Sequence, residues 1–132
     1  MRKRPAKTPE QVFVYEPKEY QREPNPEIYK RSFLFWKAWQ KELVDKMGEN
    51  KASDQRAFQE ALKNLNEMKT CLDDQKANEL DDYIQKIASF YNLYKSNDFS
   101  IVQSRQMRQD LDRLMLKMDK LFRYNRVMEH IK

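Results

Sequence analysis

The sequence predicts an all-α protein, an antiparallel bundle of four to five helices behind an extended N-terminal tail. Three observations carry this. Of the 5 prolines, four precede residue 25 and the last stands at 26, and there is 1 glycine; from residue 27 onward nothing removes a backbone donor from a helix. Ile28, Ser32, Phe35, Trp36, Trp39, Leu43 and Met47 follow the i, i+4, i+7 spacing of one buried helical face. Met107, Leu111, Leu114, Met118, Leu121, Asn125 and Met128 alternate steps of four and three, a heptad seam suited to a neighbouring helix at a shallow angle. The division is a tail over 1–24 and one bundle domain over 25–132.

In the tail, Arg2, Lys3 and Arg4, with Lys7 beyond, form a basic cluster. It reads as a nuclear-import signal or nucleic-acid arm, or simply as a solvated terminus. Val12-Phe13-Val14-Tyr15 is apolar inside a polar stretch and reads as a docking segment, strapped across the bundle or across a partner. The strap within the chain is preferred, because leaving Phe13 and Tyr15 in water forgoes burial of about 2 kcal/mol each.

The first helix is predicted to open at Asn25-Pro26-Glu27, with Asn25 as cap, and to end at Met47 before Gly48. Phe33 and Leu34 widen its apolar surface, so it is expected at the centre of the bundle, covered from more than one side. The second starts at Ser53-Asp54 and carries the stripe Phe58, Leu62, Leu65, Met68, Leu72. The phase slips at Leu72-Asp73-Asp74 and resumes as Ala77, Leu80, Ile84, Ile87, Tyr91, Tyr94. Two helices meeting at a turn capped by Asp73 or Asp74 are preferred to one bent helix. Lys95-Ser96-Asn97-Asp98 is a polar break, and the last segment runs from Phe99 to Ile131. Its heptad seam reads as internal core, with a dimer interface as the alternative.

Composition narrows the function classes. Aromatic residues are 12% of the chain, enough for a core without staples. The single Cys71 excludes an intramolecular disulfide and a cysteine-built zinc site. The longest apolar run is Phe33 to Trp36, too short for a membrane span, and a soluble intracellular protein is expected. Of the net charge of +5, residues 99–132 hold +4 and residues 51–98 hold −2. The basic end points to an anionic partner such as RNA, or to pairing with the acidic middle on the surface.

No catalytic constellation, metal site, cofactor motif or small-molecule site is visible. His130 is the only histidine, and a histidine so near the chain end is expected to be hard to hold rigidly. Arg123 before it gives the loose spacing of a HEPN-like ribonuclease, with His130 as acid or base and Arg123 on the phosphate. Arg105, Arg108, Arg113, Lys117 and Lys120 are the candidate RNA-binding residues. Arg113, Lys117 and Lys120 share a face opposite the seam and can follow a phosphate backbone. The plainer reading is a solvated face, diluted by Asp110, Asp112 and Asp119, and no aromatic is interleaved with it.

Four pieces carry a family resemblance. They are Phe33 to Leu43, ending Lys37-Ala-Trp39-Gln-Lys41-Glu42-Leu43; Leu62-Lys-Asn-Leu65-Asn-Glu-Met68 and then Leu72; Leu80 to Phe90 followed by Asp98-Phe99 and on to Met107; and Gln109-Asp-Leu111-Asp-Arg113-Leu114-Met115 with Lys120 beyond. In this order, over roughly residues 29–124, the chain resembles the C-terminal helical domain of the pre-mRNA-splicing factor 18 family. The family's long loop, opening I-G-N…W-P-I-G-V, is missing; its place falls near Met107 to Asp110, where the helix is expected to run on. The resemblance implies a non-catalytic nuclear factor of the second splicing step. It implies spliceosomal proteins as partners, including another second-step factor, with small nuclear RNA or pre-mRNA, and no membrane. A helical protein–protein adaptor unrelated to splicing is the alternative, and a HEPN-like ribonuclease the third reading.

Overall fold

The structure, a computed structural model, describes residues 22–96 and 101–132. The basic cluster Arg2, Lys3, Arg4 and the segment Val12, Phe13, Val14, Tyr15 lie outside the described residues, as do Asn97 and Asp98 of the polar break. Four long helices are present: α1 Asn25–Lys46, α2 Lys51–Thr70, α3 Asp74–Ser96 and α4 Ile101–Phe122. A short α5 Tyr124–Val127 and a 3-10 turn Met128–His130 follow. Each long helix packs on the next and α4 returns to α1, closing a ring around one core. Gly48, just after α1, lies against Ser104 near the start of α4. At the opposite end Tyr29 bonds to Phe122. The bundle is therefore antiparallel, up-down-up-down.

The helix ends differ in detail from the sequence expectation. Asn25 is not the cap of α1. The carbonyl of Pro24 takes the first N–H groups of the helix, and the Asn25 amide donates to the Lys132 carbonyl instead. At the other end Gly48 adopts φ 100°, the left-handed conformation expected of it. α2 begins before Ser53-Asp54, because Asn50 is the cap and its side chain accepts from the Ser53 N–H at 2.9 Å. Asp54 is thereby free to turn inward. It is buried, and accepts from the Gly48 N–H at 2.9 Å and the Tyr94 hydroxyl at 2.7 Å, tying the α1–α2 loop to α3. The slip at Leu72-Asp73-Asp74 is a turn between two helices, capped by Asp73 on the Lys76 N–H at 2.9 Å.

Two core assignments are corrected. In α1 the buried arc is Ile28, Tyr29, Ser32, Phe33, Trp36, Gln40, Leu43. Phe35 is 50% exposed and Trp39 only half-buried. Coverage by α2 on one flank and α4 on the other centres the arc near Trp36, so it reaches round to Phe33 rather than out to Phe35. The predicted helix from Phe99 to Ile131 stops at Phe122. Met107, Leu111 and Met118 of the seam are buried, but Leu121, Asn125 and Met128 are exposed. Phe122, one step off the seam, takes the core position against Tyr83 at 5.7 Å. Its carbonyl accepts the Tyr29 hydroxyl, and Arg123 then turns the backbone to ψ 153°.

Gln40 is the polar residue at the centre. It is fully buried, accepts from the Trp36 indole N–H at 2.6 Å and donates to the Leu111 carbonyl at 3.0 Å. Gln40→Leu, similar in size but without polar atoms, strands the indole N–H. Urea unfolding is expected to show a loss of about 1–3 kcal/mol.

Burial, with a smaller effect from the Cys71 thiol, pushes the Tyr29 phenol well above its ordinary value; burial and then Asp54 do the same to Tyr94. A raised phenol stays protonated in the fold while the unfolded chain ionises near pH ~10. This stability is complete below that pH and falls as pH rises through it. Urea midpoints measured across the alkaline range should decline, with a shallower slope in Tyr29→Phe or Tyr94→Phe.

Candidate nucleic-acid interface

The cations of α4 divide between two sides of the bundle. Arg108 reaches back to α1, where its Nε donates to the Val44 carbonyl at 2.8 Å. It shares a surface recess with Arg105, Val44, Gln109 and Asp112. Arg108 is thus a bundle tie, and Arg105 stands exposed beside it. Arg113 and Lys117 turn toward α3 instead.

There they line a groove of about 480 Å³ with Leu114 and Asp110 of their own helix and Lys86, Ser89 and Phe90 of α3. α3 and α4 make fewer contacts than any other adjacent pair of long helices. Ser89 is too small to fill the space, so the half-buried Phe90 and Leu114 form an open apolar floor. The Lys86 and Lys117 ammonium groups stand 5.2 and 5.9 Å from the Tyr83 ring centre, one from each wall. Arg113 is tethered to Asp110 at 3.2 Å and is 74% exposed. Such a tether is weak in water and leaves the guanidinium available.

Lys120 lies one turn further on, in a smaller recess with Arg123, Asn125 and Arg126 at the bend after α4. Among the described residues no salt bridge engages Lys86, Lys117, Lys120 or Arg126. Of these unneutralised cations, Lys86 and Lys117 stand beside the half-buried Phe90 ring of the groove floor, an arrangement that can receive a single nucleic-acid strand, with a base on that ring and phosphates on the cations. The sequence showed the basic face of α4 but set no aromatic beside it. The structure adds Tyr83, Lys86 and Phe90, which belong to another helix. Their own signal was the i, i+3, i+4 spacing on one face of α3.

The Arg123–His130 pair is employed elsewhere. Arg123 bonds Asp119, and His130 Nδ1 lies 2.8 Å from an Asp73 carboxylate oxygen. The Asp73 N–H donates to the His130 carbonyl at 2.7 Å, the Lys132 N–H donates to the Cys71 carbonyl at 3.0 Å, and Leu72 bridges Ile131. The expectation that a terminal histidine is poorly held is corrected: a short antiparallel clasp fixes it to the α2–α3 turn. No group of three or more His, Cys, Asp or Glu side chains converges among the described residues, and none of their helices is long and apolar enough to cross a membrane.

The Asp73 carboxyl lies below the usual carboxylate range, chiefly through the Lys76 backbone N–H and then through His130. A depressed carboxyl stabilises the fold above its unfolded value and loses that contribution as pH falls through its folded value. In wild type, acid titration followed by NMR should open the amides of residues 130–132 below the ordinary carboxylate range. In His130→Ala they should exchange faster already at neutral pH.

No protein-family model, curated protein or solved structure matches the chain.

Proposed function

We propose that the chain is a non-catalytic nuclear factor of pre-mRNA splicing that acts at the second catalytic step through RNA and protein contacts. The observation that supports RNA contact is the α3–α4 groove, where Lys86, Arg113 and Lys117 surround the Phe90–Leu114 floor. The splicing context rests on the ordered resemblance of the helices to the splicing factor 18 family. α4 runs unbroken through Met107–Asp110, where that family carries its loop. The role proposed is therefore one of helix surfaces, holding a late spliceosomal conformation by binding it better than its alternatives. The partners proposed are spliceosomal proteins, including another second-step factor, with small nuclear RNA or pre-mRNA in the groove.

A helical adaptor outside splicing is the second reading. It is favoured by Val102 and Leu116, 69% and 56% exposed and separated by whole heptads on the outer face of α4.

Fluorescence anisotropy with a labelled single-stranded RNA tests the groove. Lys117→Gln or Lys86→Gln should reduce the slope of log affinity against log salt by about 0.7 for each phosphate contact removed. Phe90→Leu keeps the floor apolar but removes the stacking face. It should cost up to about 1–3 kcal/mol with the salt slope unchanged. Salt-insensitive binding, or variants that bind like the parent, would leave the adaptor reading in front. A tagged pull-down should then recover spliceosomal small nuclear RNAs with late splicing proteins if the context is right.

A further inference from the structure

A second groove, between α1 and α2, is lined by Arg31, Phe35 and Trp39 on one wall and Glu60, Lys63 and Glu67 on the other, with a volume of about 390 Å³. It lies away from the basic groove. Its apolar content is two aromatic side chains that the bundle leaves uncovered: Phe35 is half exposed and Trp39 half-buried, with the Arg56 guanidinium 5.3 Å from the indole.

The first described residues cross the mouth of this groove. Arg22 pairs with Glu67 at 3.7 Å and donates to Thr70 at 3.3 Å, both on α2. Glu23 pairs with Arg31 on α1. Successive residues thus anchor to opposite walls, and Glu67 and Arg31 themselves line the groove. Arg22 and Glu23 therefore stand at the Glu67–Arg31 end of the groove.

We propose that this groove is the docking site of the chain's own Val12-Phe13-Val14-Tyr15 segment. Reach permits it. Residues 16–21 separate Tyr15 from Arg22 and span up to about 20 Å when extended. The groove from Glu67 to Glu60 is two helical turns, about 10 Å. Pro17 disfavours a helix at Glu16 and its neighbours, so the connection suits an extended strap. In an extended strand Phe13 and Tyr15 point to the same side and meet Phe35 and Trp39 together, while Val12 and Val14 point to the other. Charge agrees with this occupant. The stretch from Glu10 to Gln21 carries Glu10, Glu16, Glu19 and one cation, Lys18. On the groove side Lys63, Arg56 and Glu60 have no salt-bridge partner among the described residues, which leaves a net positive charge there.

Hydrogen exchange on the full chain tests this. The amides of Val12–Tyr15 should exchange at least ~10-fold more slowly than an unstructured peptide of the same sequence. Phe35→Ser, at an exposed position, should abolish that protection and leave the core of α1 unchanged. In the reverse direction, Phe13→Ser/Tyr15→Ser should increase acrylamide quenching of tryptophan fluorescence. Trp36 is fully buried, so the gain reports Trp39. Exchange at the free-peptide rate in the parent, protection indifferent to Phe35→Ser, or quenching unchanged in the double variant would each overturn the proposal. Protection that vanishes on dilution would also overturn it, assigning the groove to a second copy of the chain.

Discussion

The bundle depends on one buried amide. Gln40 sits where α1 meets α4, and it satisfies the indole of Trp36 on one side while reaching a backbone carbonyl of α4 on the other. Apolar contacts alone would let α4 slide along α1 by a turn at modest cost. The bond from Gln40 to the Leu111 carbonyl crosses to α4 and, with the buried Tyr29–Phe122 bond, sets a single register, since any slide leaves a buried polar group unpaired. The register then fixes what lies at each end: Gly48 against Ser104 at one pole, Tyr29 against Phe122 at the other. Asp54 plays the corresponding part between the α1–α2 loop and α3. The α3–α4 seam packs more loosely, and it is the seam that opens into the basic groove.

Helix number, order and the position of the α2–α3 turn were legible in the sequence because each has a local cause. Proline and glycine placement, the apolar period and the Asp73 cap all act within a few residues. What was not legible depended on distant neighbours. Phe33 and Phe35 are equally apolar, and only the positions of α2 and α4 decide that Phe33 goes in and Phe35 stays out. The heptad seam was continuous through Met128, yet Phe122 displaced it because an aromatic ring beside Tyr83 fills more core than Leu121 would. The burial of Gln40 and Asp54 had no local signal, since burial of a polar side chain is set by partners far along the chain.

The candidate site followed the same division. The cations of α4 were visible as a face, but one of them, Arg108, is spent on a carbonyl of α1, and the aromatic half of the groove belongs to α3. A surface formed by two helices has no contiguous signature in either. The Arg123–His130 spacing illustrates the converse. Arg123 pairs with Asp119 one turn back along the chain, and His130 pairs with Asp73, brought alongside by the α2–α3 turn.

The clasp of residues 130–132 on the α2–α3 turn also orders events in time. The α1–α2 and α2–α3 hairpins close over short loops and bring local partners together, whereas Leu72–Ile131 and Asn25–Lys132 join points far apart in the chain. Contacts of that separation carry the larger loop-closure entropy and form after the local ones have reduced it. The first three helices can therefore assemble as a template. The return of residues 130–132 to the start of α1 is then a closing step, after which the start of α1, the α2–α3 turn and these residues are held at one pole.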